Sequence, residues 1–305
     1  MGFERVAPGA ALLIGYVMDL RAVLMGVSFS VMWSSAFATA RILVAGAPPF
    51  ATLSLRFALA GVLAVVLAWA LGQSWRIDAG QARSVVIFGL CQNALYLGLN
   101  FVAMQRIEAS LAAIIASSMP LIVACLAWLW RGERMKPLGI AGLVVGFAGV
   151  ALIMGSRVSG GADVLSIAYC LIAALALGVA TLTVTAASRG GNLLMIVGLQ
   201  MWVGAVVLGV VSVLFETHTA RIDAHWIAAF VYQAVIPGLT ATLIWFALVG
   251  RVGAIKASAF HFLNPFFGVV IAALLLGEHI GGLDMLGVTV AALGILAVQV
   301  SKMGA

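Results

Sequence analysis

The chain has 305 residues, of which 64% are hydrophobic and only 9% charged, with a formal net charge of +6. An ordinary soluble domain is about 45–50% apolar and about 25% charged, so a water-soluble globule is excluded and lipid must solvate most side chains. The positive charge lies in the breaks between apolar runs. There it reads as the positive-inside bias of a membrane protein, and no nucleic-acid partner is expected.

Residues 1–21 form an N-terminal segment. Its apolar stretch, Ala10 to Met18, is too short to span, lacks a convincing cleavage site and runs at once into Asp19 and Arg21. A surface-lying segment and a natural start at Met18 are both open readings. A helix needs about 20 apolar residues to cross a hydrocarbon core. Ten such runs follow, at 22–43, 50–72, 84–104, 108–130, 137–155, 164–187, 193–215, 225–249, 254–276 and 282–301. Turn residues separate them, among them Ala47-Pro48-Pro49, Ser159-Gly160-Gly161 and Gly281-Gly282. The fold class expected is therefore an all-α integral membrane protein with ten transmembrane helices. With a cytoplasmic start, eleven Lys and Arg fall on the cytoplasmic side, four on the opposite side and Arg56 within span two. That bias puts both termini in the cytoplasm.

The chain also repeats itself. A shift of 145 residues lays Arg106–Gly149 on Arg251–Gly294 without a gap, matching Arg106/Arg251, Pro120/Pro265, Gly132/Gly277, Glu133/Glu278, Gly142/Gly287 and Gly149/Gly294 among others. Two units result, 22–155 and 164–301. Each holds five spans, and an odd number turns the second unit upside down relative to the first. Inverted repeats are a transporter signature, with the substrate site near the midplane between them.

Polar residues deep in a span are costly unless paired or facing a cavity. The candidate cavity residues are Trp33 and Ser34 in span one, Gln92, Tyr96 and Asn100 in span three, Ser117 in span four and Thr181 in span six. Gln200 in span seven, Trp245 in span eight and Ser258, His261 and Asn264 in span nine complete the set. Positions 92, 96 and 100 are four apart and share a helix face. His261 either lines the cavity or is an interhelical histidine; for single Ser and Thr residues an interhelical hydrogen bond is the competing role. Pro120 and Pro265 should kink spans four and nine, as gates or as static packing. Pro237 in span eight has no partner in span three, so the symmetry should break there. Arg56 and Lys256 can each take a substrate carboxylate or snorkel to the interface. Trp75 and Trp226 read as interfacial anchors. Glu133 and Glu278 should cap or pair at their turns. Cys91, Cys125 and Cys170 read as small core residues, with neither metal nor disulfide spacing.

Pro120, Leu129-Trp130-Arg131-Gly132-Glu133, Gly142 and Gly149 resemble the EamA-type pattern of the drug/metabolite transporter superfamily. Asn264-Pro265-Phe266-Phe267-Gly268 through Leu276-Gly277-Glu278 is a second copy, and Trp33-Ser34-Ser35-Ala36-Phe37 and Leu55-Arg56-Phe57 also match. Within that superfamily the chain is most similar to the YddG-type exporters of aromatic amino acids. The resemblance implies a bacterial inner-membrane carrier with a central cavity enclosed by spans one to four and six to nine. It also implies peripheral spans five and ten that can support a homodimer. Gly139, Gly142, Gly146 and Gly149 in span five, and Gly287 and Gly294 in span ten, suit close helix packing.

The expected partners are a small-molecule substrate and the bilayer, with no cofactor. No carboxylate lies at a midplane and no phosphate-binding loop is present. Facilitated export or exchange of aromatic or other amino acids and related metabolites is therefore the leading reading. A lipid flippase or an exporter of another metabolite or drug is the alternative, and an enzyme is not expected.

Overall fold

The computed structural model describes residues 20–132, 136–187, 192–278 and 281–303. The segment expected at 1–21 lies almost wholly outside them, as does Glu133. The described residues are helical, with no strand among them. The helices are α1 (Leu20–Gly46), α2 (Pro49–Ala70), α3 (Ala79–Ala103), α4 (halves Ala109–Ala116 and Met119–Arg131) and α5 (Pro137–Ser159). They continue as α6 (Val164–Ala187), α7 (Leu193–Phe215) and α8 (Ala224–Val252). Then come α9 (Ala254–Ser258, a 3-10 turn Ala259–Leu263, and Asn264–Leu276) and α10 (Gly282–Met303). Eight runs, α1 to α8, are long and apolar enough to cross a membrane; Asn264–Leu276 and Gly282–Val298 are shorter apolar helices. The distal end of the bundle is taken below as the one where α1 finishes, and the proximal end as the one where α1 begins.

Local chemistry sets the helix limits. Pro49 and Pro137 occupy first turns, where no N–H partner is needed. Asp78 and Gln81 form a reciprocal capping box at the start of α3. Gly132 and Gly277, matched at the 145-residue shift, close their helices in the left-handed region at φ 62° and 68°, a conformation glycine adopts without a Cβ penalty.

The outward faces are apolar. Leu55, Val66, Val206, Val213, Leu274 and Leu296 are all exposed, as expected where the surrounding medium is lipid. Trp75 stands exposed at the proximal end, in keeping with an anchor, whereas Trp226 does not. Its ring is buried, stacks on Phe230 at 5.2 Å and donates its indole N–H to the Leu43 carbonyl at 3.1 Å. It ties α8 to α1 instead of marking an interface.

Helices α5 and α10 pack together, and α2 packs on α7. The glycines of α5 face those of α10. A Cβ on Gly149 would come within 2.5 Å of the Ala291 nitrogen, and one on Gly294 within 2.2 Å of the Gly146 nitrogen. The small-residue stripe is thus consumed within one chain.

The 145-residue offset recurs in the backbone beyond the aligned stretch. Helix α3 widens into a π-helical segment at Gly89–Leu97, and α8 does so at Ala234–Thr240. The two segments begin 145 residues apart, so the symmetry expected to fail at Pro237 holds in the backbone. Extra-wide turns need no proline; in α8 the π turn absorbs one. The kinks expected at Pro120 and Pro265 fall where each helix changes to tighter turns. Helix α4 stops at Ala116 and restarts at Met119, while α9 passes through a 3-10 turn before Asn264, leaving each proline in the first turn of a new half-helix.

Because the α5–α10 seam admits no side chain, Gly294→Leu should destabilise the protein by about 1–3 kcal/mol. Thermal unfolding of the purified protein in detergent checks this, with the exposed Gly155→Leu, whose Cβ meets nothing within 4 Å, expected to melt near wild type.

Candidate transport cavity

A small void lies between α1, α2, α3 and α8, in the distal half of the bundle. Its walls include Trp33, Phe37, Arg56, Phe57, Gln92, Asn93, Tyr96, Asn100, Phe101 and Pro237. Its volume is about 20 Å³, room for about one water. Two larger clefts, of about 720 and 530 Å³, open at the distal end and share Val44, Ala45 and Gln105.

The proximal side of the void is closed by rings. Phe29 stacks on Trp245 at 4.9 Å, and His261 sits edge-on to Phe29 at 5.1 Å, Trp33 at 5.8 Å and Trp245 at 5.1 Å. Edge-to-face pairs of this kind are favourable beyond the area they bury. Below them Ser30 donates to the Phe260 carbonyl at 2.7 Å, and a Cβ on Gly26 would overlap the Phe260 ring at 2.2 Å. Helices α1 and α9 are therefore in backbone-close contact on that side.

Arg56 reaches into the void instead of snorkelling. It is 3% exposed, and its Nε donates to the Gln233 carbonyl at 3.1 Å. Its carbon centre lies 4.9 Å from the Phe57 ring centroid, a cation–π distance. Its Nη1 has no partner, and neither does Gln92 Oε1. Two orphaned polar atoms thus belong to residues lining one apolar chamber. Buried polar groups are normally satisfied, so such a cluster marks a place where a ligand's atoms belong. Lys256, the other expected carboxylate contact, is exposed near the proximal end.

The remaining sequence candidates divide. Gln92, Tyr96, Asn100 and Trp33 line the void. Asn100 spends its polar atoms on its neighbours, donating to the Tyr96 carbonyl at 2.7 Å and accepting from the Cys170 thiol at 3.4 Å. Gln200 stands behind α3, accepting from Asn93. Trp245 and His261 belong to the ring plug. Asn264 lies beside it, its amide 2.8 Å from His261 Nδ1 and 3.4 Å from the Ser34 hydroxyl. Ser117 bonds the Ile114 carbonyl at the α4 break. Thr181 is buried on α6 with an unpartnered hydroxyl, and Ser258 is buried at the end of the first α9 piece. None of Ser34, Ser117, Thr181, Gln200, Trp245, Ser258, His261 and Asn264 lines the void. Sequence reasoning did not mark Phe57, Phe101 or Pro237 as wall residues. The apolar ones carry no signal in so apolar a chain.

Carboxylates clasp the distal end. Glu278 accepts the Ala109 and Ser110 N–H groups at 2.8 and 2.9 Å, and Glu216 accepts those of Phe50 and Ala51 at 2.8 and 2.9 Å. Each carboxylate thereby caps a helix N-terminus that lies far away in sequence. Arg157 bridges Glu108 and the buried Asp284. At the proximal end Gln73 plays the neutral counterpart, accepting Leu194 and Met195 N–H at 3.1 Å. Asp223 caps α8 through the Trp226 N–H at 2.7 Å, and His218 bonds Ser212 at 3.1 Å, so the residues around 218–225 serve separate local roles.

Glu278→Ala strands two backbone donors and should cost about 1–2 kcal/mol, whereas Glu278→Gln, which keeps an acceptor, should cost less. Melting temperatures of the two variants in detergent test the ordering.

Comparison with known proteins gives the family. The EamA-like transporter family model matches residues 20–155 and again 164–299. The uncharacterized transporter YvbV of Bacillus subtilis is 26% identical over 255 residues, spanning 81% of each chain. The uncharacterized inner membrane transporter YedA of Escherichia coli K12 is 25% identical over 279 residues, 89% of this chain and 88% of its own. A protein crystal structure superposes with a TM-score of 0.69 at 19% identity, covering 94% of this chain and 99% of its own, a likeness of fold alone. With two matched copies of the family pattern filling most of its length, this multi-pass integral membrane protein belongs to the EamA-like transporter family, a family of transporters and not of enzymes.

Proposed function

We propose that the protein exports aromatic or other amino acids, or related carboxylate metabolites, by alternating access through the chamber between its two halves, by facilitated movement or exchange. The observation that carries this reading is Arg56. A guanidinium with a free Nη1, held in an aromatic-walled void with no acidic residue among its lining, is a donor waiting for an anion, and charge-assisted hydrogen bonds to carboxylate are among the strong ones. The orphaned Gln92 oxygen and the faces of Trp33 and Tyr96 can receive an ammonium group and an aromatic body.

In this reading the chain makes ten spans, with residues 22–155 and 164–301 as inverted five-helix units and both termini cytoplasmic. The 145-residue offset shared by the left-handed glycines, the π segments and the prolines supports it, as does the balance of Lys and Arg. The distal clefts then face outward, and the ring plug closes the cytoplasmic side. The half-helix breaks at Pro120 and Pro265 are where α4 and α9 bend as the units rock. A bacterial inner membrane fits the name of the E. coli relative. A homodimer through α5 and α10 would use their outward apolar faces, since their glycines face each other.

The test is counterflow in proteoliposomes: unlabelled phenylalanine or tryptophan inside, labelled substrate outside, no ion gradient. Uptake is expected in wild type. Arg56→Gln should raise KM roughly 10- to 150-fold, the loss of about 1.5–3 kcal/mol from a charged hydrogen bond. Absence of uptake from folded protein with either substrate would refute the amino acid reading.

A further inference from the structure

We propose that Arg41 is a gating residue: its guanidinium latches α1 to the end of α3 between the chamber and a distal cleft, and must let go for substrate to leave. The proposal rests on the reading that substrate passes through the chamber and that the distal end faces outward.

The chamber and the cleft of about 530 Å³ share no lining residue, yet they meet at two neighbouring pairs. On α1, Ala40 lines the chamber and Arg41 the cleft. At the end of α3, Met104 lines the chamber and Gln105 the cleft. Successive residues of a helix point about 100° apart, so α1 turns one face to each space. Ala40 and Met104 are buried, and Arg41 is half-buried. The Arg41 side chain crosses from one pair to the other, its Nη1 donating to the Met104 carbonyl.

This bond has a local cause. Met104 follows Ala103, the last helical residue of α3, and its own N–H goes to the Asn100 carbonyl at 2.9 Å. A carbonyl at a helix C-terminus lacks a helical donor, and the partial negative charge there favours a cation. Arg41 supplies both donor and charge. Two carboxylates line the same cleft, but each is engaged elsewhere. Glu278 accepts the Ala109 and Ser110 N–H groups, and Glu108 pairs with Arg157. Among the described residues neither forms an ion pair with Arg41. The guanidinium is thus tied to a neutral carbonyl beside an open cleft, where water can take both groups once they part.

The proximal side is built differently. There the rings of Phe29, Trp33 and Trp245 pack around His261, and opening it means parting a packed cluster. On the distal side a single polar link joins α1 to α3 at the boundary.

The test is access by a water-soluble thiol reagent, which does not depend on the identity of the substrate. A cysteine at Ala40 reports the chamber, and one at Ala45 reports both distal clefts. Spheroplasts producing the full chain are treated with a membrane-impermeant methanethiosulfonate. The same protein without the added cysteine corrects for Cys91, Cys125 and Cys170. Ala45→Cys should label readily whatever stands at position 41. Ala40→Cys should label slowly with Arg41 present and roughly 10-fold faster in Arg41→Ala, the factor lost with a hydrogen bond from a charged group. Arg41→Lys keeps a charged donor and should stay close to wild type. Equal labelling of Ala40→Cys with and without the arginine overturns the latch, as does equal acceleration in Arg41→Lys and Arg41→Ala. Faster labelling of Ala45→Cys in Arg41→Ala also overturns it, since that marks general loosening. If Ala45→Cys does not label from outside at all, the outward reading of the distal end fails and the proposal with it. Should Arg41→Ala not fold, Arg41→Met, which fills the space without a donor, decides on the same comparison.

Discussion

The structure depends on one constraint: inside a bilayer no water is present to satisfy a backbone polar group. Each irregularity in the helices must therefore be answered by a specific partner, and the answers build the site. The break in α4 is met by Ser117 and Ser118 bonding the Ile114 and Ile115 carbonyls. The helix ends at the distal face are met by Glu216 and Glu278. At the start of the π segment in α8 the Gln233 carbonyl also receives the Arg56 Nε–H. In each case polar residues, local or from a distant part of the chain, meet the backbone where it departs from a regular helix.

Close packing contributes the rest. Lipid removes the hydrophobic drive for helices to associate, so contact area, small residues and a few polar links must hold them. The seams that pair a helix with its 145-residue counterpart, α5 with α10 and α2 with α7, are built on glycine: Gly149 and Gly294 in the first, Gly61 and Gly198 in the second, where a Cβ on Gly198 would lie 3.1 Å from the Gly61 carbonyl. The remaining contacts, of α1 with α9 and α8, and of α6 with α4 and α3, carry the aromatic plug, the half-helix breaks and the chamber. Glycine seams are rigid and unselective; the polar and aromatic contacts are where a substrate can compete.

Much of this was legible in the sequence because it follows from period, rarity and spacing. Apolar runs of about 20 residues gave the helices, and rare residues matched at one offset gave the repeat. The Gln92, Tyr96 and Asn100 face was readable from its spacing, although the π turn brings Asn93 and Leu97 to the wall as well. Long-range pairing was not legible. Nothing local distinguishes Trp226, which bonds Leu43, from Trp75, which stands in the open. Nor does composition tell a buried Arg56 from a snorkelling one. Its partner is the Gln233 carbonyl, 177 residues away, a pairing that no local pattern in the sequence announces. Seven of the polar candidates off the chamber wall, Ser34, Thr181, Gln200, Ser117, Ser258, His261 and Asn264, show the same limit, since a buried amide, hydroxyl or imidazole looks alike whether it faces a neighbouring helix or a substrate.

The asymmetry between the two halves carries the functional argument further than their symmetry does. The π segments occur in both, so widening a helix at that level is a property of the repeated scaffold. The cation and the proline beside it occur on one side only: the position matched to Pro237 is Gln92, whose side-chain oxygen is itself unpartnered in the chamber. A duplicated scaffold thus places two chemically different groups at equivalent heights. One is a proline in the wall beside a positive charge, and the other is an amide acceptor. A zwitterion needs that pairing, a donor for its carboxylate and an acceptor for its ammonium, and a strictly symmetric chamber would offer the same group twice.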